Sequence, residues 1–127
     1  MKKTLLLVLT SLIMSASYGQ STTENVKLAL NAGSAKELIK YFNEVTELKI
    51  DDKGANYSRI QAESVLKEFF QQNQVESFDY IHKGSSPEGL KYNIGMFNAK
   101  TGTFRVVLLL KEVKGNYVVD TMNFNKE

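Results

Sequence analysis

The chain has 127 residues, 16 of them basic and 14 acidic, with 43% hydrophobic residues and no cysteine. This length predicts one domain, and the composition is typical of a globular protein. The absence of cysteine excludes disulfides, a lipid-modified cysteine, thiol nucleophiles and cysteine-ligated metal sites. A single histidine, His82, excludes a multi-histidine metal site within one chain, so we expect no cofactor.

Residues 1–19 have the pattern of a Sec-type signal peptide. Lys2 and Lys3 precede an apolar run over 5–14, and small residues occupy the −3 and −1 positions of a cleavage site. The run is too short to span a bilayer comfortably, although a retained N-terminal anchor is the alternative. We expect export to the periplasm or the extracellular space, with 20–127 as a single domain that has no stable membrane anchor and is not a lipoprotein.

Removal of this segment changes the charge balance. It takes away two of the 16 basic residues, and 16 − 2 = 14 then equals the acidic count. A near-neutral mature chain argues against nucleic acid or an anionic membrane as a partner, because both require a basic patch.

The first half of the mature chain predicts two short helices. Residues 24–32 have apolar positions at helical spacing, and Gly33 suits a C-terminal cap. Ser34 and Glu37 then form a capping box for a second helix, whose apolar face extends to Phe42.

A strand and a longer helix follow. Residues 45–50 alternate in polarity and predict the first strand, and 51–57 read as a loop. Ser58 and Gln61 form another capping box, which begins the clearest helix of the chain, over 58–73. Its apolar face is made by Ala62, Val65, Leu66, Phe69 and Phe70.

The second half changes to the period of strands. Four runs, over 75–83, 90–97, 103–113 and 116–124, are rich in β-branched and aromatic residues and are separated by glycine-containing turns. Helices followed by an antiparallel meander predict an α+β fold, with the helices packed on one face of a curved sheet in the order α-α-β-α-β-β-β-β.

This order resembles the nuclear-transport-factor-2-like superfamily, a cystatin-like α+β cone. The segments "GSAKELIKYFNEVTELKI", "YSRIQAESVLKEFF", "FDYIHKGSS" and "YNIGMF" are more narrowly similar to a family of small secreted bacterial proteins, the domain of unknown function numbered 4783. The resemblance runs from about Asn25 to Phe124. It implies the fold but little about activity, because the superfamily includes isomerases, dehydratases, ligand binders and interaction modules, and the narrower family supplies no catalytic residues.

The strand registers can be predicted from the turns. A two-residue turn at Gly115-Asn116 would place Lys111 opposite Asp120. A four-residue loop over 99–102 would place Tyr92 opposite Leu109.

These registers predict two apolar sheet faces. One face would pack against the helices and carry Leu90, Tyr92, Ile94, Met96, Val107, Leu109, Val118, Met122 and Phe124. The other would carry Phe97, Phe104, Val106, Leu108, Leu110, Tyr117 and Val119. A sheet face that meets water should alternate to polar residues, so an apolar outer face predicts a homodimer.

His82 is a weak catalytic candidate. It lies three residues from Asp79, and an odd separation along a strand places two side chains on opposite faces. We therefore expect no His82–Asp79 dyad, and interpret His82 as a partly exposed strand residue.

Asp120 is the more interesting carboxylate. In an apolar cone it could have a raised pKa and abstract a proton, with Tyr80 or Tyr92 as a hydrogen-bond donor and weak ligand-binding candidate. The simpler interpretation of Asp120 is a cross-strand ion pair with Lys111.

Three functions follow. The favoured one is a non-catalytic exported module that dimerises and binds a small apolar ligand or an envelope protein in the cone. The alternatives are a proton-transfer enzyme of the isomerase or dehydratase kind, and a structural accessory protein with no pocket.

Overall fold

The computed structural model describes residues 21–127. The described elements are α1 (Thr22–Ala32), α2 (Ala35–Leu38), a 3-10 turn (Ile39–Tyr41), β1 (Phe42–Ile50), β2 (Lys53–Ser58), α3 (Arg59–Gln72), β3 (Val75–Ser85), β4 (Lys91–Ala99), β5 (Gly102–Val113) and β6 (Asn116–Lys126). The predicted signal peptide lies outside the described residues. From residue 21 onward, no helix has the length and apolar character that crossing a bilayer requires.

The strands form one six-stranded sheet in the order β2-β1-β6-β5-β4-β3. β1 and β6 are parallel, and every other neighbouring pair is antiparallel. The helices lie on one face of this sheet, where their apolar side chains share a core with the inner strand residues. The predicted α+β fold class is confirmed.

The predicted helix caps are confirmed. Gly33 ends α1 in the left-handed conformation, with φ of 61°. The Ser34 hydroxyl accepts a hydrogen bond from the backbone N–H of Glu37 at the start of α2, but the Glu37 carboxylate pairs with the Lys40 ammonium at 2.9 Å, so only one of the two bonds of the predicted capping box forms there. At α3, Ser58 and Gln61 make both bonds of a capping box, so the backbone N–H groups of these two residues are satisfied at the start of the long helix.

Two local predictions were wrong. The second helix ends at Leu38 and continues as a 3-10 turn, because Phe42 is already the first residue of β1 and is fully buried beside β6. The expected loop over 51–57 contains strand β2. Asp51 and Asp52 have φ of 51° and 64° and make a two-residue turn without glycine, which aspartate tolerates better than most residues.

The prediction of which sheet face packs against the helices was also wrong for β4 and β5. Tyr92 does pair with Leu109, so that register is confirmed. However, the residues predicted to face outward are buried against the helices, namely Phe97, Phe104, Val106, Leu108 and Leu110. The two faces carry similar numbers of apolar residues in the sequence, and the larger aromatic side chains occupy the inner one.

The β5–β6 register differs from the prediction in two ways. Lys114 and Gly115 form the turn, both with positive φ, so Lys111 lies opposite Val118 and makes no cross-strand pair with Asp120. The register then shifts between Leu109 and Leu110, which leaves Asp120 as the extra residue of a bulge. Because one inserted residue reverses the alternation, the apolar side chains of β6 beyond Asp120 lie on the face that the helices cover.

Aromatic rings fill the space between α3 and the sheet. The Phe69 ring lies 5.8 Å from Phe97, 5.1 Å from Phe104 and 4.5 Å from Phe124, measured between ring centroids. All four side chains are buried. The centre of the cone is therefore packed with protein side chains where the sequence predicted a ligand.

Helix α1 covers the free edge of β3. The Asn31 amide nitrogen donates to the Phe78 carbonyl oxygen at 2.9 Å, and the Phe78 N–H donates to the Asn31 amide oxygen at 2.9 Å. One residue on, the Asp79 carboxylate accepts from the N–H of Tyr80 at 2.8 Å. These side chains occupy backbone groups that an added strand would need.

Candidate functional site

The inner face of the sheet becomes polar at one end of strands β3 and β4. Lys83 pairs with Asn93, and Ser85 pairs with Lys91. Lys91 in turn pairs with Leu110, a buried inner residue, so these side chains belong to the face that is otherwise apolar. A departure from the apolar pattern on a core-facing surface is typical of a functional site.

A pocket of about 310 Å³ lies between this end of the sheet and the first turn of α1. Asn93 is 2% exposed, and its amide nitrogen donates to the Thr23 hydroxyl at 3.3 Å. The Tyr80 hydroxyl donates to the Thr23 carbonyl oxygen at 2.7 Å. Burial, and then the nearby charge of Glu24, raise the pKa of Tyr80, so its phenol stays protonated as a donor. We call this cavity the polar pocket.

Two lysines of the polar pocket rest on aromatic rings. The Lys83 ammonium lies 5.2 Å from the centroid of the Tyr80 ring, and the Lys91 ammonium lies 4.2 Å from that of Tyr117. Tyr117 is fixed by a hydrogen bond from its hydroxyl to the Gly89 carbonyl oxygen at 3.1 Å. The ion pairs found over residues 21–127 include neither lysine, so both charges are directed by rings and open to an anion.

A second depression, which we call the α3 groove, runs between α3 and the end of the sheet. Its volume is also about 310 Å³, and its apolar lining includes Ile50, Phe69 and Phe104. The rim is polar. Asp51 contributes to it and accepts a hydrogen bond from the N–H of Lys126 at 2.9 Å.

The outer sheet face carries a mixed surface. Its centre is an apolar strip, defined by Tyr92, Ile94, Met96, Val107 and Leu109. Tyr92 is 39% exposed, and the other four side chains are partly exposed. Charged and polar residues surround the strip, so the outer face is less apolar than the sequence predicted.

The structure does not bring Asp120, Tyr80 and Tyr92 together. Asp120 lies at the β6 bulge, half-buried, where its carboxylate accepts a hydrogen bond from the Asn43 amide at 3.3 Å. The Tyr80 hydroxyl donates to the Thr23 carbonyl oxygen in α1, whereas Tyr92 pairs with Leu109 on the outer face. A catalytic role for Asp120 stays a prediction.

His82 and Asp79 share a face, contrary to the parity argument. A register shift between Tyr80 and His82 places them opposite Ile94 and Met96, both of which face outward. The Asp79 carboxylate pairs with the Lys27 ammonium at 3.1 Å. The His82 ring lies 5.6 Å from the Tyr92 ring, at the exposed edge of the outer face.

Comparison with known proteins places this architecture in a family. The family described as "Domain of unknown function (DUF4783)" matches residues 23–125. The chain belongs to this family. A DUF4783 family protein from Bacteroides ovatus is 30% identical, with a TM-score of 0.77 over 81% of this chain and 93% of that one. Another from Bacteroides uniformis is 29% identical, with a TM-score of 0.77 over 82% and 95%.

More distant structures share the fold alone. A protein domain of unknown function with a cystatin-like fold from Nostoc punctiforme is 9% identical, with a TM-score of 0.65 over 84% of this chain and 73% of that one. No curated protein matches the chain. The resemblance to the DUF4783 family and to the cystatin-like cone is therefore confirmed.

Sequence reasoning missed the polar pocket. With the opposite choice of face for β4, the inner positions read Lys91, Asn93, Gly95, Phe97 and Ala99, and the two polar residues at one end would have stood out. The signal was present as a polar pair at the start of an otherwise apolar alternation. The reversed choice of face places this pair on the outer side of the sheet instead.

Proposed function

We propose that this DUF4783 family member is an exported, non-catalytic interaction module, and that its outer sheet face holds a second copy of the chain. The observation that carries the proposal is the apolar strip. Its five side chains lie on two neighbouring strands, and none of the helices described over residues 21–127 covers them. Contiguous apolar side chains on an outer surface usually mark a contact region.

The dimensions of the sheet suit a dimer interface. Six strands at a spacing of about 4.8 Å, each roughly ten residues long, give an outer face of about 24 by 34 Å, or about 800 Å². A standard interface buries about 800 Å² on each partner. The strip alone covers roughly 150 Å², so it would form the centre of a contact whose margin is polar, as interfaces commonly are.

The charges around the strip allow two identical faces to meet. On β1 the Lys49 ammonium lies 3.3 Å from the Glu47 carboxylate, and on β5 the Arg105 guanidinium lies 2.9 Å from the Glu127 carboxylate. Each pair is neutral within one subunit. A two-fold contact would bring these two pairs together without net repulsion, whereas Lys111, two residues beyond Leu109 on β5 and in neither pair, would have to lie at the margin of the contact.

Sedimentation velocity of residues 20–127 tests the proposed dimer. The wild-type chain should sediment as a dimer at micromolar concentration. Leu109→Lys should weaken association at least 100-fold, because it removes about 2 kcal/mol of apolar burial and places a lysine at the contact centre of both subunits. Ile60→Lys is the matched control, since Ile60 is an 81% exposed apolar residue on α3. A wild-type chain that stays monomeric would refute the proposal.

Export is supported by the signal-like pattern of residues 1–19. Expression of the full chain in a bacterium with a periplasm should yield a soluble periplasmic product that begins at Gln20. N-terminal sequencing of that product is the test. An uncleaved product in the membrane fraction would favour the anchor alternative.

The enzyme alternative makes a distinct prediction. A base at Asp120 requires donors beside it, and the two candidate tyrosines lie elsewhere, which is why we favour a non-catalytic module. If the protein transfers protons, the wild-type chain will catalyse the exchange of hydrogen for deuterium at an activated ketone in heavy water, and Asp120→Asn will abolish this exchange. On our proposal the wild-type chain does not accelerate this exchange above buffer.

The α3 groove supports a second candidate function, the binding of a small apolar ligand. Because rings fill the cone centre, the ligand would bind along Ile50, Phe69 and Phe104 at its mouth. Fluorescence of 8-anilinonaphthalene-1-sulfonate should then rise on binding, and Val65→Glu, in the lining of the groove, should abolish the rise. No rise in the wild-type protein would leave the structural accessory role for this region.

A further inference from the structure

We infer that the polar pocket binds a small organic acid that carries hydroxyl groups, such as a sugar acid. The inference is independent of the outer face, because the pocket lies on the side of the sheet that faces the helices. It starts from the side chains that meet there and from what each can do.

The polar pocket contains a side chain whose burial costs stability. Asn93 is a polar side chain, 2% exposed, at a core-facing position of β4. A buried amide destabilises a fold unless its hydrogen bonds are made. The hydrogen bond that the Asn93 amide donates to the Thr23 hydroxyl is long, at 3.3 Å. An aliphatic side chain would fill the same position with a smaller loss of stability.

Two lysines bring positive charge to the polar pocket. Lys83 and Lys91 approach the polar pocket from two strands, and each ammonium lies over a tyrosine ring and takes part in none of the ion pairs found over residues 21–127. A lysine positioned by a ring loses less freedom when it binds an anion. Two such lysines at one cavity can hold a single carboxylate between them through charge-assisted hydrogen bonds.

The rest of the pocket lining adds a carboxylate and hydroxyl groups. Glu24 adds a carboxylate, and Thr23 and Ser85 add hydroxyls, so the pocket is not a purely cationic surface. A carboxylate beside two lysines would repel a compact anion but accept hydrogen bonds from the hydroxyls of a ligand. The volume of about 310 Å³ is at the small end for ligand sites, which suits a single sugar-sized acid.

Nuclear magnetic resonance titration of ¹⁵N-labelled protein (residues 20–127) tests the inference with three probes. D-glucuronate has both the carboxylate and the hydroxyls, D-glucose lacks the carboxylate, and acetate lacks the hydroxyls. Glucuronate should shift the amide signals of Thr23, Lys83 and Asn93 saturably. The other two probes should bind at least ten-fold more weakly, because each lacks one half of the recognition.

Two lysine variants complete the test. Lys83→Gln should weaken glucuronate binding about ten-fold but cost no more than about 1 kcal/mol of stability, because Lys83 is exposed and loses only its contact with the Tyr80 ring. Lys111→Gln is the matched control, an exposed lysine on β5 whose loss should change nothing. The inference is overturned by absent saturation at about 10 mM glucuronate, by equal affinity for acetate, or by unchanged binding in Lys83→Gln.

Discussion

The hydrogen bonds between Asn31 and the edge strand β3 protect this edge of the sheet against pairing with another strand. Asn31→Ala removes both hydrogen bonds to the Phe78 backbone, each worth about 1 kcal/mol at a partly exposed site. Alanine regains about 0.5 kcal/mol through its higher helix propensity. The net loss in the free energy of unfolding is therefore about 1.5 kcal/mol.

This loss converts to a melting temperature. The structure describes 127 − 20 = 107 residues, and an unfolding entropy of about 2.1 cal/mol/K per residue gives about 0.22 kcal/mol/K. The expected decrease is thus about 7 °C, measured by circular dichroism. The variant should also aggregate on incubation near its melting temperature, because β3 then offers free backbone groups to another strand.

Two controls separate the edge bonds from the rest of α1. Asn31→Asp keeps the acceptor for the Phe78 N–H but loses the donor to the Phe78 carbonyl, so its melting temperature should lie between those of the wild type and Asn31→Ala. Lys27→Ala breaks only an exposed ion pair on the same helix and should cost less than about 0.5 kcal/mol. A decrease below about 2 °C for Asn31→Ala, with no increase in aggregation, would refute this reasoning.

Three further predictions concern single positions. Asp52→Gly should stabilise the protein by about 0.5–1 kcal/mol in urea unfolding, because φ of 64° strains aspartate but not glycine, and a decrease in stability would contradict the assigned turn. Gly95→Ala should destabilise by about 1–3 kcal/mol, since an added Cβ would overlap the edge of the Phe78 ring, and an unchanged unfolding midpoint would show that this packing is wrong. The Asp79 carboxyl should titrate below its ordinary pKa of 3.8, because Lys27 and the Tyr80 N–H favour the charged form. Its stabilising contact is then present at neutral pH and is lost as pH falls through the lowered pKa, so a carboxyl resonance with a midpoint at or above 3.8 would exclude the Lys27 contact in solution.

Local signals in the sequence predicted the elements well. The caps at Gly33, Ser34 and Ser58 come from hydrogen bonds within a few residues, and they form as expected. The Tyr92–Leu109 register also depends on one short loop. Such features need no knowledge of the rest of the fold.

The candidate site depended on features that are not local. The extra residue at Asp120 is accommodated beside β1, where Asn43 donates to it and the Thr46 hydroxyl donates to the Val119 carbonyl oxygen at 2.9 Å. A parallel neighbour of this kind cannot be read from the β6 sequence. The register of β4 and β5 was predicted correctly, and the polar pocket and the outer strip were exchanged because both faces of these strands carry many apolar residues, so the sequence does not show which face the helices cover.

The most direct test of the account is an isotope-filtered nuclear Overhauser experiment on a mixture of labelled and unlabelled chains of residues 20–127. The account predicts intermolecular contacts between the methyl groups of Ile94, Val107 and Leu109 and a second copy, and none from Leu28, an exposed apolar residue on α1. The account would be contradicted if these methyl groups gave no intermolecular signals and the particle in solution had the mass of one chain.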